Sequence, residues 1–166
     1  FALAGVGLLI RRDGQGTLQR LDLLRPTRKQ LLVAVGVTGL LLAFDFGVNL
    51  AWERFDPAGY DLLDRVTSNI FGNLMTVSGA VILGLSAGIS EELLFRGAVQ
   101  PRLGILLASI LFTIGHLQYG LTVATLEILV IGLILGLMRK WTHTTICILI
   151  HASYNTVGVL LGLLWP

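Results

Sequence analysis

Long apolar runs dominate the chain, and five of them have the length expected of membrane-spanning helices. About 20 apolar residues cross the ~30 Å hydrocarbon core of a bilayer as a helix. The runs cover residues 31–52, 66–90, 103–117, 121–138 and 144–165. The pattern therefore predicts an all-α fold, a polytopic transmembrane helix bundle with about five full spans.

The first ten residues form a shorter apolar run, which predicts the tail of a further, truncated N-terminal span. The chain starts with Phe1 and has no initiator Met, so we expect it to be a fragment of a longer protein. A signal peptide would carry its basic residues before the apolar run, but here Arg11 and Arg12 follow it. We expect one transmembrane domain over residues 1–166.

Composition agrees with a membrane protein. Hydrophobic residues make up 54% of the chain and charged residues 13%, about half the charged share of an average soluble protein. We therefore predict an integral membrane protein whose surroundings are the lipid bilayer, with no nucleic-acid partner. The single Cys147 cannot form an internal disulfide, so it does not indicate a redox compartment.

Basic residues alternate along the chain in a way that predicts an orientation. Ten of the twelve Lys and Arg residues fall in segments expected on one side, and only Arg54 and Arg65 fall on the other, in the predicted loop 53–65. The ten are six residues within 11–29 together with Arg96, Arg102, Arg139 and Lys140. Cytoplasmic loops carry the excess of Lys and Arg. We expect a multi-pass protein of the cell membrane, with its active site open to the cytoplasmic side.

Small residues recur at four-residue spacing in three of the predicted spans. Such stripes allow two membrane helices to approach closely. The positions are Ala80 with Gly84 and Gly88, Gly132 with Gly136, and Gly158 with Gly162. They predict a compact bundle.

Ionisable groups inside the spans are the strongest functional signal, because each costs roughly 2.5 to 3.5 kcal/mol to insert. Asp45, Glu91, Glu92, Arg96, His116, Glu127, His151 and Asn155 are the polar residues in these runs. With turns near Leu103 and Lys140, Glu91, His116 and His151 all lie roughly 16 to 20 Å deep at ~1.5 Å per residue. Three side chains from three helices are thus predicted near the bilayer midplane.

Local spacing separates the two adjacent glutamates. Glu92 and Arg96 are four residues apart, which favours an ion pair within one helix. Glu91 points ~100° away from Glu92 and can face the bundle interior. His151 and Asn155 are also four residues apart and share a helix face.

Three motifs on successive apolar runs carry a family resemblance. They are EELLFR (Glu91, Glu92 and Arg96), FTIGH (Phe112 and His116) and HASYN (His151 and Asn155). In this order they resemble the type II CAAX prenyl endopeptidases, also called the CPBP or Abi family of intramembrane proteases. The resemblance covers a catalytic core of about residues 66–166.

The resemblance implies a role for each motif residue. Glu91 would activate a water molecule, and His116 would hold that water or transfer its proton. His151 and Asn155 would stabilise the oxyanion, while Glu92 and Arg96 would form a structural ion pair. The substrate would be a peptide or protein, prenylated if the family name applies, and no cofactor would be needed.

Two alternatives remain open at the level of sequence. Glu91, His116 and His151 could instead hold a zinc ion with an open position for water, although the chain has no HExxH motif. The buried ionisable residues could also belong to a non-enzymatic membrane scaffold, an immunity protein or a transporter. The roles of Glu127 and Asp45 stay undecided.

Overall fold

A computed structural model describes residues 2–164, and its regular elements in this range are helices. The α-helices are α1 (Ala2–Gly5), α2 (Gly14–Arg20), α3 (Arg28–Phe55), α4 (Pro57–Phe71), α5 (Val77–Glu92), α6 (Gln100–Ile114), α7 (Val123–Trp141) and α8 (Thr144–Leu164). A π-helix, Leu93–Val99, joins α5 to α6. The predicted all-α bundle is confirmed, although Trp165, the end of the last predicted span, lies outside the described residues.

The predicted loop 53–65 is wrong, because most of it is helical. Helix α3 continues to Phe55, and Asp56 then caps α4 by accepting a hydrogen bond from the backbone N of Gly59 at 3.1 Å. Pro57 at the first position of α4 is preorganised for a helix start. Helix α4 exposes the apolar side chains of Leu62 and Ile70 and also carries two acidic residues, Asp61 and Asp64.

The predicted run 66–90 is also divided. Helix α4 ends at Phe71, and a short 3₁₀ helix, Gly72–Leu74, separates it from α5. The Thr76 side chain then caps α5 by accepting a hydrogen bond from Gly79 N at 3.0 Å. The absence of charged residues around the break led to the prediction of one continuous run, although several uncharged polar residues lie there.

The chain reverses at Gly104, close to where the sequence predicts a turn. Gly104 has φ 78° and ψ 175°, a conformation that glycine adopts far more readily than other residues. The two arms of the resulting hairpin run side by side, since the Phe95 and Phe112 rings lie 5.3 Å apart. In one straight helix these residues would be ~25 Å apart.

Three helical stretches are long and apolar enough to cross a membrane: Arg28–Phe55, Val77–Ile114 and Thr144–Leu164. They identify a membrane protein by length and composition, but the predicted count of five spans is not confirmed. The second stretch contains the reversal at Gly104. Helix α7 has 19 residues but carries Glu127, Arg139 and Lys140, which lower its apolar character.

Two of the three predicted glycine stripes form close helix contacts. A Cβ atom on Gly88 would lie 2.7 Å from Ala152 N, and one on Gly136 would lie 2.6 Å from the Ile105 side chain. These glycines therefore let α5 approach α8 and let α7 approach α6. The third stripe does not pack as predicted, because Gly158 and Gly162 have open space where a Cβ atom would lie.

The predicted N-terminal span is not formed by the described residues. Helix α1 ends at Gly5, and the chain then turns through Gly7 at φ 88°. Val6 and Leu21 are buried against Ala98 of the π-helix, so this segment packs across the end of the bundle. Glycines interrupt the apolar run too early for a continuous helix.

Basic residues from three separate segments gather at this same end of the bundle. Arg139 Nη1 lies 2.7 Å from Asp22 Oδ2, and Arg20 Nη1 donates a hydrogen bond to Gly97 O at 3.2 Å. Burial lowers the pKa of Arg20, and the positive charges of its basic neighbours, Arg102 foremost, lower it further. We call this the basic end; the α3–α4 junction and the α6–α7 turn form the opposite end.

Candidate active site

A cavity of about 640 Å³ lies among helices α3 to α8. Its lining includes all four residues to which the sequence assigns chemistry, namely Glu91, His116, His151 and Asn155. The structure thus brings the three sequence motifs to one place.

Hydrogen bonds between neighbouring helices set the register of the segment that follows Glu91 against α7. Arg96 Nη2 donates to Gly132 O at 2.9 Å, and Gln100 Nε2 donates to Gly136 O at 2.8 Å. Both bonds join residues 36 positions apart, so the π-helix and the start of α6 run parallel to α7 in one register. The same register places Glu91 level with Glu127.

Glu91 and His116 form the part of the site that is open to the cavity. Glu91 Oε2 lies 3.5 Å from His116 Nε2, and the side chains are 27% and 20% exposed. His116 Nδ1 lies 2.8 Å from Phe112 O and must donate there, because a carbonyl oxygen only accepts. His116 Nε2 therefore faces the carboxyl group, and Glu91 Oε2 has no hydrogen-bond partner among the described residues.

The position of His116 differs from the expectation. It was predicted within a span that continues to residue 117, but α6 ends at Ile114 and His116 lies in the turn that follows. Phe112 holds the ring in place by packing against it, with ring centroids 4.7 Å apart. The FxxxH spacing thus spans a helix end rather than a helix interior.

Glu92 and Arg96 form the ion pair that their spacing suggests. Arg96 Nε lies 3.2 Å from Glu92 Oε2, and the side chains are 1% and 0% exposed. The guanidinium group also stacks over the Phe112 ring, 4.6 Å from its centroid. Because Arg96 donates to Gly132 O as well, the pair fixes α5 against α7.

Glu92 has a second partner that the sequence analysis did not identify. His151 Nδ1 lies 2.8 Å from Glu92 Oε1, and both side chains are buried. The carboxylate accepts from Nδ1–H, which leaves Nε2 as the ring atom available to a ligand. The sequence placed the two residues at a similar depth. It did not show how their helices are rotated, so it could not predict that the side chains meet.

The π-helix begins directly after Glu92 and holds Arg96. Hydrogen bonds in a π-helix span five residues, so each turn is wider than in an α-helix. Such segments within α-helices often occur at functional sites. No feature of the EELLFR motif predicted this local structure.

Tyr119 is a cavity residue that the sequence analysis missed. It lies in the α6–α7 turn, and burial raises the pKa of its phenol. A hydrogen bond with Gln118 lowers that pKa, while the negative charge of Glu91 raises it. The phenol therefore remains a hydrogen-bond donor near Glu91. Its position in a predicted turn gave no sequence signal.

Comparison with known proteins identifies the family to which the chain belongs. The family model described as Rce1-like, type II CAAX prenyl endopeptidase, matches residues 73–157, just over half of the chain. The chain belongs to this family. The Rce1-like region begins just before α5 and ends within α8, so it contains every motif residue described above.

One curated relative is the Bacillus subtilis (strain 168) protein named "Uncharacterized protein YpbD". It is 29% identical over 147 residues, which cover 86% of this chain and 72% of that protein. No solved structure gives a significant match. Asp45 lies outside the Rce1-like region, whereas Glu127 lies within it.

A zinc site would need a third ligand beside Glu91 and His116. Their 3.5 Å separation suits two ligands of one zinc ion, each bound at ~2.0 Å. Yet no group of three His, Cys, Asp or Glu side chains within residues 2–164 is arranged to hold a metal ion. The described side chains therefore do not fit the zinc alternative.

The cavity lies away from the basic end. Its lining residues include Leu63 and Phe71 of α4, Tyr119 of the α6–α7 turn and Val159 in the second half of α8. These residues belong to the opposite end of the bundle. The two sequence-based expectations, basic residues in the cytoplasm and a site open to the cytoplasm, therefore require opposite orientations.

Proposed function

We propose that the chain is an intramembrane endopeptidase that hydrolyses a peptide bond with a water molecule activated by Glu91. The supporting observation is the Glu91–His116 contact in a cavity that His151 and Asn155 also line. Membership of the Rce1-like family supports the same reaction class.

Glu91 acts as the general base. A carboxylate in a poorly solvated cavity can accept a proton from water as the water oxygen attacks the peptide carbonyl carbon. His116 holds the water or relays its proton through Nε2, since Nδ1 is engaged by Phe112 O. When the C–N bond breaks, this proton passes to the leaving nitrogen, which departs as an amine.

His151 and Asn155 stabilise the negative charge that develops on the carbonyl oxygen. Donors positioned in advance at an oxyanion commonly contribute about 10²- to 10³-fold to the rate. The Asn155 amide is one donor and His151 Nε2–H is the other. Because Nδ1 already carries a proton, a His151 ring that also donates from Nε2 is positively charged. The Glu92 carboxylate, 2.8 Å from Nδ1, stabilises that charge.

No cofactor is required by this reaction, because the water, the base and the oxyanion donors complete it. The substrate is a peptide or membrane protein, and prenylated CAAX proteins are the class that the family description suggests. A lipid-anchored or membrane-embedded segment could enter the cavity from the bilayer.

Cleavage by the purified chain tests the proposal and the cofactor prediction together. We expect the protein in detergent or liposomes to cleave members of a peptide panel that includes prenylated CAAX peptides, with full activity after 1,10-phenanthroline treatment. Glu91→Ala is the inactive control. Activity that the chelator removes and zinc restores would support the zinc alternative. Absence of cleavage across the panel would support a non-enzymatic scaffold or transporter.

The basic end also supports an orientation. We place it in the cytoplasm of a cell membrane, by the positive-inside tendency, with the cavity in the opposite half of the bilayer. Single cysteines replacing Arg102 and Arg54, in a Cys147→Ala background, should differ in labelling by a membrane-impermeant reagent. Labelling of the Arg54 site alone from outside is expected. Labelling of the Arg102 site alone would instead place the cavity on the cytoplasmic side.

A further inference from the structure

A second polar cluster lines the same cavity and takes no part in the proposed reaction. It consists of Asp45 on α3, Glu127 on α7 and Tyr154 on α8. The Tyr154 hydroxyl donates a hydrogen bond to Asp45 Oδ1 at 3.0 Å. Asp45 and Glu127 line the same cavity, and their carboxyl groups are close enough to interact electrostatically. We call these three residues the acidic cluster.

The acidic cluster has no basic partner among the described residues. Within residues 2–164, Lys, Arg and His side chains form no salt bridge with Asp45 or Glu127. Glu127 is only 8% exposed, and its buried Oε1 has no hydrogen-bond partner there. Two ionised carboxyl groups close together repel each other, and an unpaired buried polar atom costs about 1 to 3 kcal/mol. A cation placed between them would relieve both costs.

The acidic cluster lies next to the catalytic groups. Extended back to Glu91, the register between the π-helix and α7 places Glu127 level with Glu91, and Tyr154 immediately precedes Asn155 in α8. A peptide whose carbonyl sits between Glu91 and Asn155 would therefore present a neighbouring side chain to the cluster. Leu83, Ile128 and Ile131 also line the cavity and suit the alkyl stem of a long cationic side chain.

We infer that the acidic cluster is a specificity subsite for a Lys or Arg side chain of the substrate, close to the scissile bond. The inference rests on the proposed function. An ammonium or guanidinium group would donate to Glu127 Oε1 and to Asp45, while Tyr154 holds the Asp45 carboxylate in place. An organic cation suits the site better than a metal ion, because no three-ligand metal arrangement occurs in residues 2–164.

Matched peptides test the subsite. The substrate from the cleavage panel is made with Lys, or with uncharged norleucine of similar length, at each position near the scissile bond. Wild-type protein should prefer Lys at one position. Glu127→Gln should reduce the Lys-to-norleucine ratio of kcat/KM at that position by roughly 30-fold or more, since breaking a buried charge pair has effects of this size. Asp45→Asn should act in the same direction.

Ser86→Ala is the matched control, since Ser86 lines the cavity from α5 and its hydroxyl bonds to Leu83 O. This variant should keep the wild-type ratio. A ratio near one in wild type, or one unchanged in both Glu127→Gln and Asp45→Asn, would overturn the subsite. Size-exclusion chromatography checks that each variant is folded. Because Glu127→Gln and Asp45→Asn are tested separately, the subsite can still be judged if one of the two variants fails to fold.

Binding separates failure of the subsite from failure of the proposed function. Fluorescently labelled Lys and norleucine peptides are titrated against Glu91→Gln protein, with and without Glu127→Gln. Tighter binding of the Lys peptide that Glu127→Gln removes would support the subsite even if wild-type protein cleaves nothing. Equal binding of both peptides would indicate that a proton neutralises the cluster. Loss of the Lys preference in millimolar NaCl or MgCl₂ but not in choline chloride would indicate an inorganic cation there. Either result would overturn the proposal.

Discussion

Glu91→Gln should lower kcat/KM for peptide cleavage by at least about 100-fold while the protein still folds and inserts. Glutamine keeps the shape of the side chain and can still accept or donate hydrogen bonds, but it cannot take a proton from water. General-base catalysis commonly contributes 10²- to 10⁴-fold. Because Glu91 is 27% exposed at the cavity, its loss should leave the packing of α5 intact.

Single-turnover cleavage in detergent measures this effect directly, with thermal unfolding as the check on folding. Glu53→Gln is the matched control, since Glu53 is an exposed glutamate near the end of α3. It should retain wild-type activity. A Glu91→Gln protein that is unstable but still active would remove Glu91 from the chemistry and assign it a structural role.

Glu92→Gln should produce the opposite result, a large loss of stability and a smaller loss of activity per folded molecule. The substitution leaves Arg96 as a buried cation without its counter-ion, which costs about 3 to 5 kcal/mol. The amide oxygen of the introduced glutamine would still accept from His151 Nδ1, so the ring should keep its orientation. Reduced expression and a lower unfolding temperature are the expected readouts.

Removing both charges should recover part of that stability. In the Glu92→Gln, Arg96→Gln double variant no unpaired buried charge remains, so its unfolding temperature should exceed that of Glu92→Gln alone. Glu92→Gln that is stable but inactive would exchange the roles of the two glutamates and place Glu92 at the water. Comparing wild type, Glu92→Gln and the double variant in one detergent separates the contribution of the ion pair to stability from its effect on His151.

The structure changes how the Glu92–Arg96 pair relates to the site. Spacing within one helix was enough to suggest this pair, because residues four apart share a face. It could not show that Glu92 also holds His151, 59 residues away in sequence. Through this contact the buried ion pair positions a ring that we propose as an oxyanion donor.

Apolar content and residue spacing along the chain did not predict where the helices begin and end. The run 66–90 appears continuous by hydropathy, yet α4 ends at Phe71 and α5 begins at Val77. The π-helix after Glu92 and the position of His116 beyond α6 were likewise not predicted. In each case side-chain capping or packing between helices decides the backbone, and neither is a property of the local apolar content.

The sequence by itself determined the helical class, the membrane environment, the reversal near Gly104 and the shared level of Glu91, His116 and His151. Chain length, apolar content and the rise per residue set these properties, and all three can be read along one helix. Only the tertiary structure decided that Glu91 meets His116, that Glu92 meets His151 and that Asp45 meets Tyr154. These contacts depend on how each helix is rotated about its axis. In helices that are apolar on all sides, hydrophobic periodicity does not specify that rotation, because lipid and protein neighbours are equally apolar.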